Sequence, residues 1–115
     1  MANTFKVVTK AGVTSADVIY TAGSGVTAIV LGLILGNTTT SQITSTVTLT
    51  SDTSGRAGGN DEATQAVELI TNAPIPAGAS LELLSGNKVV LETTDTIEVT
   101  GSGATDVALS IMEIT

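Results

Sequence analysis

The chain of 115 residues contains no histidine and no cysteine. Its own side chains therefore cannot supply a catalytic triad, the commonest general base, a thiolate nucleophile or a Cys/His zinc site. Carboxylates remain. Asp61 with Glu62, and Glu92 with Asp95, are the nearest candidates for an acid and base pair of the glycosidase kind. A sugar cleft normally also offers aromatic platforms, and Phe5 and Tyr20 are the only aromatics in the chain. These acids read as solvated turn carboxylates and the chain as a non-enzyme.

The acids could instead hold a cation. Asp52, Asn60, Asp61 and Glu62 lie in one glycine-rich stretch, and Ca²⁺ takes about six to eight oxygens, backbone carbonyls included. Their order matches neither the EF-hand nor the nonapeptide repeat, so no metal and no other cofactor is expected. Gly55 to Gly59 lacks the Lys-Ser/Thr of a phosphate-binding loop and opens no helix. Arg56 stands at the tip of this stretch, either as a free surface arginine or as the partner of an acidic patch on a neighbouring subunit.

These residues must be positioned by strands. Thr27 to Gly36 is apolar at nearly every position, with Ile29, Leu31, Leu33 and Leu35 pointing one way and Ala28, Val30 and Ile34 the other. As a strand it spans roughly 30 Å, while as a helix it would rise only about 15 Å, too short for a bilayer. Both faces should be dry, the second under a loop, a second sheet or another subunit. Ile43 to Thr50 alternates cleanly, with Ile43, Val47 and Leu49 opposed to four threonines.

Similar runs occupy 4–9, 17–21, 65–73, 80–84, 88–92, 96–100 and 106–114, with Ser85-Gly86-Asn87 as a hairpin turn and Pro74-Ile75-Pro76 as a corner between sheets. Residues 61–69 are the one weak helical candidate. Strands at a spacing of about 8 to 12 residues indicate a single all-β domain over 1–115: a two-sheet antiparallel β-sandwich, jelly-roll or immunoglobulin-like, of eight or nine short strands with little or no helix.

Composition narrows the partners. Eleven acidic against four basic residues give a net charge of -7 and a pI near 4.1, a field that repels phosphate backbones, so no nucleic acid is expected. The opening residues lack the pattern of a signal peptide, and no run is long enough for a membrane span. A mean hydropathy of +0.41 with so few reactive groups describes a protein built to pack. The expected contact residues are Ala2, Asn3, Thr4, Phe5 and Lys6 at the start, and Asp52, Arg56, Asn60, Asp61 and Glu62 in the 52–64 loop.

Several stretches resemble a known group. Residues 1–10, 18–21, 26–37, 72–78, 88–92 and 110–115, reading MANTFKVVTK, VIYT, VTAIVLGLILGN, NAPIPAG, KVVLE and SIMEIT, resemble small virion structural proteins of tailed bacteriophages, with the nearest echo in phages of marine cyanobacteria. The resemblance implies a capsid decoration or cement protein made in the host cytoplasm and residing on the outer surface of the head. The implied partners are the major capsid protein or another virion protein, and copies of itself as a homo-oligomer, with a trimer favoured. A tail, neck or fibre-attachment component and a carbohydrate- or receptor-binding module are the alternatives.

Overall fold

Threonine, valine and isoleucine fill alternate positions through much of the chain, and branching at Cβ suits a pleated surface better than a helix. The computed structural model describes residues 2–56, 60–84 and 86–115. Among them are nine strands and no helix: β1 (Asn3–Val13), β2 (Ala16–Thr21), β3 (Thr27–Asn37), β4 (Ile43–Ser51), β5 (Gln65–Ile75), β6 (Ser80–Leu83), β7 (Val89–Leu91), β8 (Thr96–Gly101) and β9 (Thr105–Ile114).

The path of the chain is a long hairpin rolled up. Strands β1 to β4 run out, the 52–64 loop is the tip, and the later strands run back, so that β4 pairs β5, β3 pairs β6 and β7, β2 pairs β8, and β1 pairs β9. Rolling then brings β9 against β3 and β8 against β4. Two antiparallel sheets result, sheet A in the order β1-β9-β3-β6 with β7 also on β3, and sheet B in the order β2-β8-β4-β5. This is the jelly-roll form of the sandwich rather than the immunoglobulin-like one. Between the sheets, Val30, Leu33, Leu35, Leu109 and Ile111 of sheet A meet Val47, Ile75, Ile97 and Val99 of sheet B, all buried. Each such side chain contributes about 1.5 to 3 kcal/mol.

Local details differ from the expectations. In β3, Val30 pairs Ile111 and Gly32 pairs Ser110, which leaves Leu31 as an extra residue in a bulge. The bulge switches the inward face from Ala28 and Val30 to Leu33, Leu35 and Asn37, so the strand does not keep the single alternation its sequence suggests. The bulge is also where β3 changes partner on its far edge, from β7 to β6. Those two strands do not form a hairpin with each other. They lie end to end along β3, and residues 84 and 86–88 between them are not strand; Ser85 of the expected turn lies outside the described residues. Pro74 is no corner but part of β5, an edge strand where its missing N–H is tolerated. Residues 65–69, half of the weak helical candidate, are strand. β1 continues past Lys10 through a bulge in which Gly12 takes a φ of 68°, a left-handed angle suited to glycine.

Two buried features fix the ends of strands. Asn37 closes β3 by donating to the carbonyls of Ser41 (2.8 Å) and Ile75 (2.9 Å) while accepting from the Thr39 amide (2.8 Å) and hydroxyl (2.7 Å). Gly101 ends β8 where a Cβ would stand 2.7 Å from the Val13 carbonyl oxygen, so no larger residue fits.

Candidate functional site

The Asp52 and Asp61 carboxylates, and the Glu62 backbone, are committed to the loop itself. The Asp52 carboxylate accepts from the Ser54 amide (2.9 Å), Asp61 accepts from the Gly55 amide (3.0 Å), and the Glu62 carbonyl accepts from the Thr53 and Ser54 amides. These contacts satisfy turn backbone that would otherwise depend on water. Among the described residues no group of three or more His, Cys, Asp or Glu gathers for a metal ion. Asn60 is exposed, and residues 57–59 of the expected glycine pattern lie outside the described residues.

Arg56 is neither free nor turned towards a neighbour. Its Nη1 donates to both carboxylate oxygens of Asp95 (3.1 and 3.2 Å), and its Nη2 donates to the Thr93 carbonyl at 2.7 Å. Asp95 is 3% exposed and also accepts from the Asp52 and Glu92 amides. The pair pins the hairpin tip to the β7–β8 turn, in which the Asp95 amide donates to the Glu92 carbonyl and Thr94 sits at φ 74°. With Asp95 held by four hydrogen bonds from three donor groups, and the exposed Glu92 carboxylate 3.8 Å from the same Arg56 Nη1, the candidate acid pair is occupied by the loop's own arginine. It is a structural lock.

A second cluster ties sheet A to sheet B. Glu113 of β9 accepts from the Tyr20 hydroxyl of β2 (2.6 Å) and pairs with Lys6 Nζ of β1 (2.8 Å). The Lys6 and Tyr20 hydrogen bonds hold the Glu113 carboxyl below the usual carboxylate range, while burial and the neighbouring Glu113 push the Tyr20 hydroxyl well above its ordinary value. Lys6, expected at an interface, thus has a partner within the chain.

What remains open is the outer face of sheet A. Directly opposed residues in a sheet share a face, and the register Phe5–Met112–Ile29–Val90 runs straight across β1, β9, β3 and β7. Phe5 is 72% exposed, Val90 56%, Val7 64% and Ile34 46%, with Ile29 and Met112 half-buried. Small residues hollow this face. Gly36 and Ala108 floor a depression of about 320 Å³ beside Thr9, Ile34 and Asp106, and Gly32 lies in a smaller one of about 190 Å³ beside Leu31 and Leu83. Of this surface Phe5 is among the expected contact residues, and Ile29 and Ile34 belong to the strand expected to need cover on both faces. Met112 and Val90 were missed because β9 and β7 alternate apolar residues on both faces, and only the cross-strand register tells which is outside.

No family model matches the sequence, and no curated protein matches it. Two similar solved structures were found. One is a chain of Bacillus endospore appendages, described as a novel family of disulfide-linked pili, at 15% identity and a TM-score of 0.47, covering 99% of this chain and 87% of that one. The other is from the T13 IBDV viral particle, at 9% identity and a TM-score of 0.39, covering 96% of this chain and 35% of that one. Neither likeness bears on what this chain does. No helix among the described residues is long and apolar enough to cross a membrane.

Proposed function

We propose that this chain is a non-enzymatic structural component of a bacteriophage particle, a decoration or cement protein that packs on or between capsomers on the outside of the head. The observation that carries the reading is the apolar row Phe5–Met112–Ile29–Val90 left uncovered on sheet A. Contiguous apolar surface on a sheet marks a contact with another protein. Its charge of -7 suits an outer position better than one against the genome, and the stretches that resemble virion proteins run from one end of the sequence to the other. The partner is a capsid or other virion protein, and copies of the chain associate with each other.

The test is a copy count by quantitative mass spectrometry on purified particles. Hundreds of copies per particle, removed together with head stability, are the expected result. Six or twelve would move the protein to the neck or tail, and absence from particles overturns the reading.

A further inference from the structure

The edges of a sheet are its sticky parts, because each edge strand leaves half of its backbone groups without a partner. Three of the four edges here are interrupted. β2 is bulged between Val18 and Tyr20; β5 carries Pro74 and two register shifts; and the fourth edge is split between β6 and β7, which pair separate stretches of β3. β1 differs. Its ladder with β9 runs unbroken from Asn3 to Lys10.

The direction of its unpaired groups follows from the ladder. Ala2 and Thr115 exchange both backbone hydrogen bonds (3.2 and 3.0 Å). Antiparallel pairs alternate, so Thr4, Lys6, Val8 and Lys10 also bond to β9, and the amides and carbonyls of Asn3, Phe5, Val7 and Thr9 point away from the sheet. The residues with outward backbone are the same ones whose side chains form the apolar face.

From this we propose that β1 is a self-association edge: two copies of the chain pair β1 to β1 antiparallel about a two-fold axis at Val7. The register is selected by overlap and by charge: an axis at Phe5 or earlier, or at Thr9 or later, sets a shorter run of the Asn3–Lys10 ladder against its copy. An axis at Lys6 would set the two Lys6 residues opposite each other, and an axis at Val8 would set Lys6 opposite Lys10; directly opposed like charges destabilise a sheet. An axis between residues would face outward groups with groups already used by β9. With the axis at Val7, Val7 meets Val7, Phe5 meets Thr9, Lys6 meets Val8 and Lys10 meets Thr4. β1 contains no acid, and its two lysines are balanced by Glu113 (2.8 Å) and Asp17 (3.6 Å) of the same chain, so the seam carries no net charge despite the acidity of the whole. Pairing joins the two A sheets into one and extends the row Val90–Ile29–Met112–Phe5 into Thr9, Ala108 and Ile34 of the second copy. This replaces the expected trimer with a two-fold unit. The interface stands apart from the particle reading, since it would form in the isolated protein.

Sedimentation equilibrium on the full chain should show a species of two chains. Val7→Pro removes an outward N–H and nothing from the β1–β9 ladder, and should weaken the dimer at least about tenfold. Because that variant can disturb β1, cysteine pairing provides the second measurement in a chain that has no cysteine of its own. Val7→Cys should cross-link on mild oxidation, whereas Asn3→Cys, on the same edge but roughly 26 Å from its copy in this register, should not. A monomer at all concentrations, a trimer, a folded Val7→Pro variant with undiminished association, or cross-linking at residue 3 as efficient as at residue 7 would each overturn the proposal.

Discussion

Both sheets contribute buried side chains to one core, yet their outer faces differ in kind. Across sheet A the opposed residues are Phe5, Met112, Ile29 and Val90; across sheet B they are Val18, Glu98, Thr48 and Glu68, flanked by Thr46 with Thr100 and by Thr50 with Thr96. Apart from the half-exposed Val18, the outer face of sheet B is hydroxyls and carboxylates that keep their water. Sheet A keeps an apolar surface in the solvent, the one that the proposed partner would cover. One β-sandwich thus has a finished side and an unfinished side, and the difference lies in which side chains alternate with the core rather than in the backbone.

The largest expected effect breaks this contrast directly. Phe5→Lys combined with Val90→Lys should reduce binding to capsid shells at least about 100-fold, near 3 kcal/mol, while the melting temperature changes little because neither residue touches the core. Co-sedimentation with particles reads it, and full binding by the folded double variant would remove sheet A from consideration. On sheet B, Thr46→Val should leave shell binding intact but destabilise the fold by about 1 kcal/mol, since the Thr46 hydroxyl accepts from the Asn72 amide (2.9 Å) at a bulge of β5. Denaturant unfolding measures that loss.

A change on neither face serves as a control. Thr94 holds a left-handed angle in the turn pinned by Arg56, so Thr94→Gly should stabilise by up to about 1 kcal/mol with binding unaltered.

The smallest effect is one of pH. Glu113 titrates lower in the fold than unfolded, so its contribution is present above the unfolded carboxylate range, about pH 4, and fades as pH falls through the lower folded value. Tyr20 titrates higher in the fold, so its contribution holds below about pH 10 and fades as pH rises through the folded value. Tyr20→Phe should flatten the alkaline limb and reduce the acid one, as followed by thermal unfolding across pH.

Strand positions and the threonine face of β4 were legible because period-two alternation is a local property. Long-range register was not. Leu31 reads as one more apolar residue until its neighbours on β9 are counted, although Gly32 within an apolar run is the residue type that accompanies bulges. Gly86 between two apolar runs suggests a hairpin, but β3 supplies a single edge long enough to hold both runs in line. Arg56 and Asp95 are 39 positions apart, and nothing near either one announces the other. The exposed row was hidden for the same reason, being assembled from four strands that no local pattern connects.

The rolled hairpin has a consequence for the order of folding. Because β1 pairs β9, β1 waits for β9 before its ladder can form, and β2 and β3 must likewise wait for β8 and for β6 and β7. Only the β4–β5 pair can close early, around the glycine-rich tip. Folding is therefore expected to begin there and to finish with the β1–β9 ladder, whose partners are farthest apart along the chain.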